Sequence, residues 1–402
     1  MNTAQYKSRK KYFEAVLPFK GTDLIKVFTG QRRVGKSYLL YQLMDLIHKE
    51  EPDAHIIYIN KELFEFDEIN DYISLQSYVD ANKKAGVKNY LLIDEIQEIN
   101  QFEKCLRSIQ AKNEAEIFIT GSNAKLLSGD LSTFLTGRYI EIKVYGLSYT
   151  EFLNFHGLEK GQESFMNYLK FGGLPGIVNI ALEDVIVFDY LRNVYEAILY
   201  KDVVRRFNIR NVSFLENLVK YLADNTGSIV SAKKISDFLK SQQVKVSPNV
   251  VMDYLSYLED AFFVFKAQRS NLSGKKIFEA GEKYYFEDLG LRHAIIGYRQ
   301  NNINKVLENI VYVHLLMAGY KVRIGWENGR EIDFIAEKNG EKIYIQVTYL
   351  LSSENVFERE FGNLLKIKDH YPKMVLSMDE YAGNSYQGIT HRKIIDFISE
   401  IE

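Results

Sequence analysis

Apolar and polar positions change rhythm three times along the chain. Leu24 to Phe28 is a short continuous apolar run. Leu39, Leu43 and Leu46 then recur at helical spacing, and the pattern stops near Pro52. "YLLID", ending at Asp94, is hydrophobic at every position before its acid, which predicts a strand covered on both faces. "IFIT" (Ile117 to Thr120) and "RYIEIKV" from Arg138 predict two more strands. From residue 151 to about 210 the period is helical, as in "FDYLRNVYEAILYKDVVRRF". Three amphipathic segments follow. "SFLENLVKYLADNTG" is closed by Gly227. "SAKKISDFLKSQ" is capped by Ser231, and "SPNVVMDYLSYLEDA" has Ser247 as its cap and Pro248 at its first helical position. "FFVFKAQ" and "KYYFED" then predict a pair of short strands, so that three helices and a β-ribbon read as a winged helix.

The last hundred residues alternate with period two. A helix from about Ile303 to Met317 precedes the stretch "EIDFIAEKNGEKIYIQVTYLL", and a helix from about Val356 to His370 and the strand "MVLSM" follow it. Asn339-Gly340 sets a two-residue turn. That register places Lys338 opposite Glu341, Ile335 opposite Tyr344 and Asp333 opposite Gln346. Alternation sends Ile332, Phe334, Ile343, Ile345 and Val347 to a buried face, and Asp333 and Gln346 to the other, with Cβ atoms about 5 Å apart. The chain is expected to be α/β: a parallel-sheet core over residues 1–150, a helical lid over 151–210, a winged helix-turn-helix over 211–300 and a smaller α/β domain over 301–402.

The chemistry is densest in the first third. Gly30-Gln31-Arg32-Arg33-Val34-Gly35-Lys36-Ser37 stands between a strand and a helix, the order that a P-loop of a nucleotide-binding sheet requires. Its glycines let the backbone wrap round phosphates, and its N–H groups and the helix start at Lys36, Ser37 and Tyr38 supply positive potential. Lys36 would reach the β- and γ-phosphates of ATP, and Ser37 would ligate Mg²⁺. Asp94 sits where a carboxylate holds the Mg²⁺ shell, and Glu95 where a base orients water. Asn123 or Ser122, just past a strand, is a candidate γ-phosphate sensor, with an ordinary polar turn as the plainer alternative. Arg138 is a candidate arginine finger, and Arg32 and Arg33 lie within reach of phosphate in the loop itself.

"GQRRVGKS", "LLIDEIQ", "ITGSN" and "GRYIEI" together resemble prokaryotic AAA-type ATPases related to the signal-transduction (STAND) group. "GGLP" at Gly172–Pro175 and the triplet Leu307-Glu308-Asn309 also look like landmarks of that family. The resemblance covers nearly the whole chain. It implies a winged-helix region after the ATPase core, then a C-terminal domain of restriction-endonuclease-like fold. On that likeness Glu308, Asp333 and Gln346 match the acidic helix residue, the aspartate and the second ligand of a nuclease metal site. A lysine is expected two residues after the second ligand, and this chain has Thr348. Gln346 lowers the charge of such a site by one and Thr348 supplies no cation, which weakens the case for cleavage. Lys366 on the following helix is a candidate replacement.

Charge changes this picture modestly. The chain of 402 residues has a net charge of −2. Only its middle is basic: residues 201–300 hold sixteen basic against eleven acidic residues. That hints at DNA or RNA contact through Lys233, Lys234, Lys240, Lys245, Arg205 and Arg206. The helix from Ser247 to Asp260 has no Lys or Arg, so base reading from it is disfavoured, and packing or nucleotide sensing is an equal use for the region. One cysteine, Cys105, excludes an internal disulfide and fits a reducing cytoplasm. No apolar run is long enough to span a bilayer. Three functions stay open: a nucleic-acid-associated ATPase, a nucleotide-driven switch or scaffold, and an ATP-gated metal-dependent nuclease.

Overall fold

The computed structural model describes residues 6–124, 137–271, 281–327, 329–351, 354–379 and 385–401. The chain divides into two compact units. One is Met1–Tyr145 with Asp260–Phe262, and the other is Gly146–Glu259 with Phe263–Glu402.

The first unit is built on a five-stranded parallel sheet. Its strands are β1 (Ile25–Thr29), β2 (His55–Asn60), β3 (Asn89–Asp94), β4 (Glu116–Gly121) and β5 (Tyr139–Lys143), in the order β2-β3-β4-β1-β5. Every residue of β1 and β3 is buried, as strands covered on both faces require. Helix α1 (Lys10–Val16) precedes the sheet, and α2 (Lys36–Glu50), α3 (Tyr72–Asn82) and α4 (Phe102–Ala111) connect its strands. α2 buries Leu39, Leu40, Leu43 and Ile47, while Leu46 is only half-buried, so its core stripe is rotated slightly from the expected one. α3 starts with a capping box: Asp71 accepts from the Ser74 N–H, and the Ser74 hydroxyl accepts from the Asp71 N–H. One main core joins Val27, Ile59, Leu91, Ile93 and Ile119 of the sheet to Leu75, Val79, Leu106 and Ile109 of the helices.

The second unit begins with α5 (Tyr149–His156), α6 (Gln162–Phe171) and α7 (Asp184–Ala197), which runs on as a π-helix over Ile198–Arg205. The three expected amphipathic helices are α8 (Val212–Asp224), α9 (Ala232–Ser241) and α10 (Pro248–Asp260). Strand β6 (Val264–Ala267) is followed by β7 (Arg269–Asn271), and β8 (Lys283–Phe286) pairs antiparallel with β6. Then come α11 (Leu289–Ile296) and α12 (Ile303–Met317). Strands β9 (Lys321–Glu327), β10 (Arg330–Lys338), β11 (Glu341–Val347), β12 (Lys373–Ser377), β13 (Ser385–Tyr386) and β14 (Ile389–Lys393) form a mixed sheet with β7, ordered β13-β14-β12-β11-β10-β9-β7. α13 (Glu354–Leu365) and α14 (Ile394–Glu400) complete the unit.

Two sequence landmarks acquire physical reasons here. Asn309 on α12 accepts the Phe286 N–H through Oδ1 and donates Nδ2 to the Phe286 carbonyl, each at 2.8 Å, so its amide stands in for a neighbouring strand beside β8. In "GGLP", the Asp288 carboxylate accepts the Gly173 N–H at 2.7 Å. A Cβ on Gly172, at φ +76°, would fall 2.4 Å from that carboxylate, so only glycine fits.

The hairpin takes the turn register expected of it, with Ile335 opposite Tyr344 and Lys338 opposite Glu341. Its faces differ from expectation. Ile335, Ala336, Tyr344 and Gln346 are buried as well as Ile332, Phe334, Ile345 and Val347, whereas Ile343 is only half-buried. Both faces of the hairpin are covered, and Ile332, Ile335 and Tyr344 share a core with Phe361 and Leu364 of α13. A register irregularity between Ile332 and Ile335 in the β9 pairing also breaks the simple alternation next to Asp333.

Candidate functional site

The phosphate loop leaves the C-terminal end of β1 and enters α2. Gly30 takes φ +154°, and a Cβ there would lie 2.0 Å from the Val144 carbonyl oxygen. Arg33 adopts φ +72° and is exposed, while Gly35 caps α2 in a left-handed conformation. Gln31, Arg32 and Val34 are buried, and Tyr38 is exposed. Lys36 is buried and donates Nζ to the carbonyls of Gly30 and Gln31 at 3.0 and 2.9 Å. Its ammonium lies 3.7 Å from Glu95 Oε1. Arg32 pairs with Glu62 at 2.7 Å.

β3 delivers Asp94 and Glu95 to the same strand end. Thr120 of β4 donates to Asp94 Oδ1 at 2.5 Å and accepts the Glu95 N–H at 3.0 Å. Glu95 sits at φ +56°, and its Oε2 accepts from the Ser122 hydroxyl at 2.9 Å and from the Gln97 amide. Burial and then Glu95 push the Asp94 carboxyl up, against the Ser37 and Thr120 hydroxyls and Lys36. For Glu95, burial is outweighed by Lys36 and Arg32 with the Gln97 and Ser122 hydrogen bonds, so its carboxyl lies below the usual range. Two adjacent carboxylates are thereby pushed apart in acidity. Among the described residues Asp94 Oδ2 is buried with no hydrogen-bond donor, which fits the expectation that Asp94 and Ser37 would hold Mg²⁺.

Ser122, just past β4, donates to Glu95, and Asn123 is half-buried next to it. Arg138 does not join this cluster. β5 runs parallel to β1 with Tyr139 beside Ile25 and Lys143 beside Thr29, so Arg138 precedes the strand end opposite the loop. It is exposed, and its carbonyl accepts the Ile25 N–H at 2.9 Å. The sequence pattern offered no sign of Arg9. This buried side chain donates Nη1 to the carbonyls of Val34 and Tyr145, at 3.0 and 2.9 Å, bracing the loop from behind.

The second unit gathers Glu308 from α12, Glu331 and Asp333 from β10, Gln346 from β11 and Glu360 from α13. Gln346 Oε1 accepts the backbone N–H of Asp333 at 2.7 Å, and its Nε2 donates to Glu360 at 2.8 Å. Asp333 Oδ2 accepts the Val347 N–H at 2.8 Å. A lysine is present, but it is Lys283 at the start of β8, nearly fully buried, with Nζ 2.6 Å from Glu308, 2.6 Å from Glu331 and 4.0 Å from Asp333. Burial opposes its charge, yet Glu308, Asp333 and Glu331 outweigh burial and raise its pKa. The Tyr285 hydroxyl also donates to Glu308, at 2.5 Å. Burial raises the Asp333 and Glu308 carboxyls. Lys366 is exposed past the end of α13. Among the described residues no three His, Cys, Asp or Glu side chains are arranged to hold a metal ion.

A glycine loop and paired carboxylates at the ends of a parallel sheet are the arrangement of a P-loop NTPase domain. A family model described as an AAA domain matches residues 22–153, and another, a domain of unknown function (DUF8612), matches residues 162–302. An uncharacterized protein of Haemophilus influenzae is 36% identical over 397 residues, covering 97% of this chain and 98% of its own. An uncharacterized protein of Methanocaldococcus jannaschii is 31% identical over 391 residues, covering 91% of this chain and 84% of its own. The chain belongs to the family of these two proteins. Among solved structures, the Aeropyrum pernix ORC1 protein in complex with DNA is similar with a TM-score of 0.35 and 10% identity, over 72% of this chain and 92% of that one. No helix among the described residues is long and apolar enough to cross a membrane.

Proposed function

We propose that this chain binds and hydrolyses ATP with Mg²⁺ and does so in association with nucleic acid. The observation that carries the ATPase reading is the convergence of Lys36, Asp94 and Glu95 at one end of the parallel sheet, with Lys36 3.7 Å from Glu95. In this reading the backbone from Gly30 to Gly35, with Arg32 and Arg33, cradles the phosphates, and Lys36 neutralises their charge. Ser37 and Asp94 hold the metal, which supplies charge stabilisation on the phosphates. Glu95, ionised and fixed by Ser122 and Gln97, orients the attacking water and takes its proton. Asn123 stands beside Ser122 as a sensor candidate.

The expected modules after residue 150 keep their place in the proposal: a helical lid over 151–210, a winged helix over 211–300 and a restriction-endonuclease-like domain over 301–402. Support for nucleic-acid contact comes from Lys233, Lys234 and Lys240 of α9 and from Lys245, all exposed. α10 carries no basic side chain, so the contact is with phosphates rather than bases. ATP turnover measured with and without duplex DNA and RNA tests the reading. Stimulation that falls steeply with salt is expected. Turnover indifferent to both polymers would favour a nucleotide-driven switch instead.

A further inference from the structure

The carboxylate cluster of the second unit raises a question that the ATPase reading leaves untouched: what balances its charge? Glu308, Glu331 and Asp333 converge from α12 and β10, and between them stands the ammonium of Lys283. Lys283 comes from β8, some fifty residues before the hairpin, and is held there because Asn309 bonds Phe286 on both its N–H and its carbonyl. Two further observations bear on the centre. Gln346 Oε1, the atom that would ligate a metal, is already taken by the Asp333 N–H, and the Gln346 amide nitrogen is taken by Glu360. Asp333 Oδ2 is likewise held by the Val347 N–H. The donor set of a nuclease is present by residue type but is turned inward, onto the protein.

We propose that Lys283 is the resident cation of this centre, standing among Glu308, Glu331 and Asp333 in the place of a divalent ion. The carboxylates are thus held without metal, and the unit does not cleave phosphodiesters. A singly charged ammonium with fixed N–H directions ties α12, β8 and β10 together. It also repels a second cation from the same space. On this view Thr348 is no defect in a catalytic site, because the cationic role has passed to β8.

Mn²⁺ binding to the full chain tests the assignment, in an Asp94→Asn background so that the phosphate loop contributes no metal site. The protein that retains Lys283 should show no saturable Mn²⁺ signal by electron paramagnetic resonance. Lys283→Ala should gain a site, with affinity at least about tenfold above background once the ammonium no longer opposes the ion, and adding Asp333→Asn should remove it. Lys283→Ala that folds and gains no site overturns the proposal. Should that variant fail to fold, the lysine-containing protein decides alone. A saturable Mn²⁺ site, or plasmid nicking, that Asp333→Asn abolishes overturns the proposal; absence of both upholds it.

Discussion

Thr120 grips both acids of the first unit at once: its hydroxyl donates to Asp94 Oδ1 and accepts the Glu95 N–H. The two carboxylates therefore have fixed and different surroundings, one close to Thr120 and Ser37, the other facing Lys36. Glu95→Gln keeps the shape and the bonds to its backbone but removes the base. Phosphate release is expected to fall by about 10²–10⁴-fold while ATP remains bound. Unchanged release would take the role of base away from Glu95.

Arg9 should matter to nucleotide binding without touching the nucleotide. Its guanidinium donates to a buried carbonyl in the loop, Val34, and to the half-buried carbonyl of Tyr145. Arg9→Ala removes both donations, at a cost of about 1–3 kcal/mol. Thermal unfolding should shift down, and titration with a fluorescent ATP analogue should show weaker binding. Normal affinity in a folded variant would show that the brace is dispensable.

Lys26 and Glu116 form a buried ion pair at 2.9 Å, the lysine fully enclosed and its pKa lowered chiefly by that burial. Lys26→Met leaves Glu116 with Lys88, at 3.2 Å, and the Gly21 N–H, and is expected to cost about 1–3 kcal/mol. Replacing both residues with apolar side chains should recover most of the loss. Denaturant melts of the two variants measure the difference; equal destabilisation would mean that the loss is one of packing.

His293 should make the protein sensitive to acid. Burial, with Arg292 beside it, pushes the imidazole down to about 3, and its Nδ1 faces the Lys170 carbonyl at 3.0 Å. The folded state prefers the neutral ring. This stabilisation is complete above the ordinary value of 6.5 and is lost as pH falls towards about 3. Within that window wild type should lose about 1.4 kcal/mol per pH unit relative to His293→Gln. Asp288, pushed up to about 6 by burial, acts in the opposite sense in both proteins, so the comparison isolates the histidine. Parallel stability curves would rule it out as the acid-sensitive group.

What could be read in the sequence is what lies contiguously along it. The phosphate loop is eight consecutive residues between a strand and a helix, and Asp94-Glu95 ends a wholly apolar strand, so each carries its own context. The turn at Asn339-Gly340 fixed the hairpin register for the same reason. Lys283 could not be read from the sequence because it comes from β8, far along the chain from Glu331 and Asp333, and no local pattern links them. Arg138 lies away from the loop because strand polarity, rather than residue type, decides which sheet edge it meets. Alternation failed in the hairpin because α13 covers the face opposite α12, so both faces are apolar.

The grip of Thr120 has a developmental counterpart. β3 and β4 are parallel neighbours, with Ile93 beside Ile119, and the hydroxyl one residue on reaches both acids. A slip of one residue between these strands would turn Thr120 to the opposite side of the sheet and leave Asp94 and Glu95 unaligned. The register of the sheet and the alignment of the two acids are therefore one and the same event: correct pairing of β3 with β4 sets Thr120 against Asp94 and Glu95.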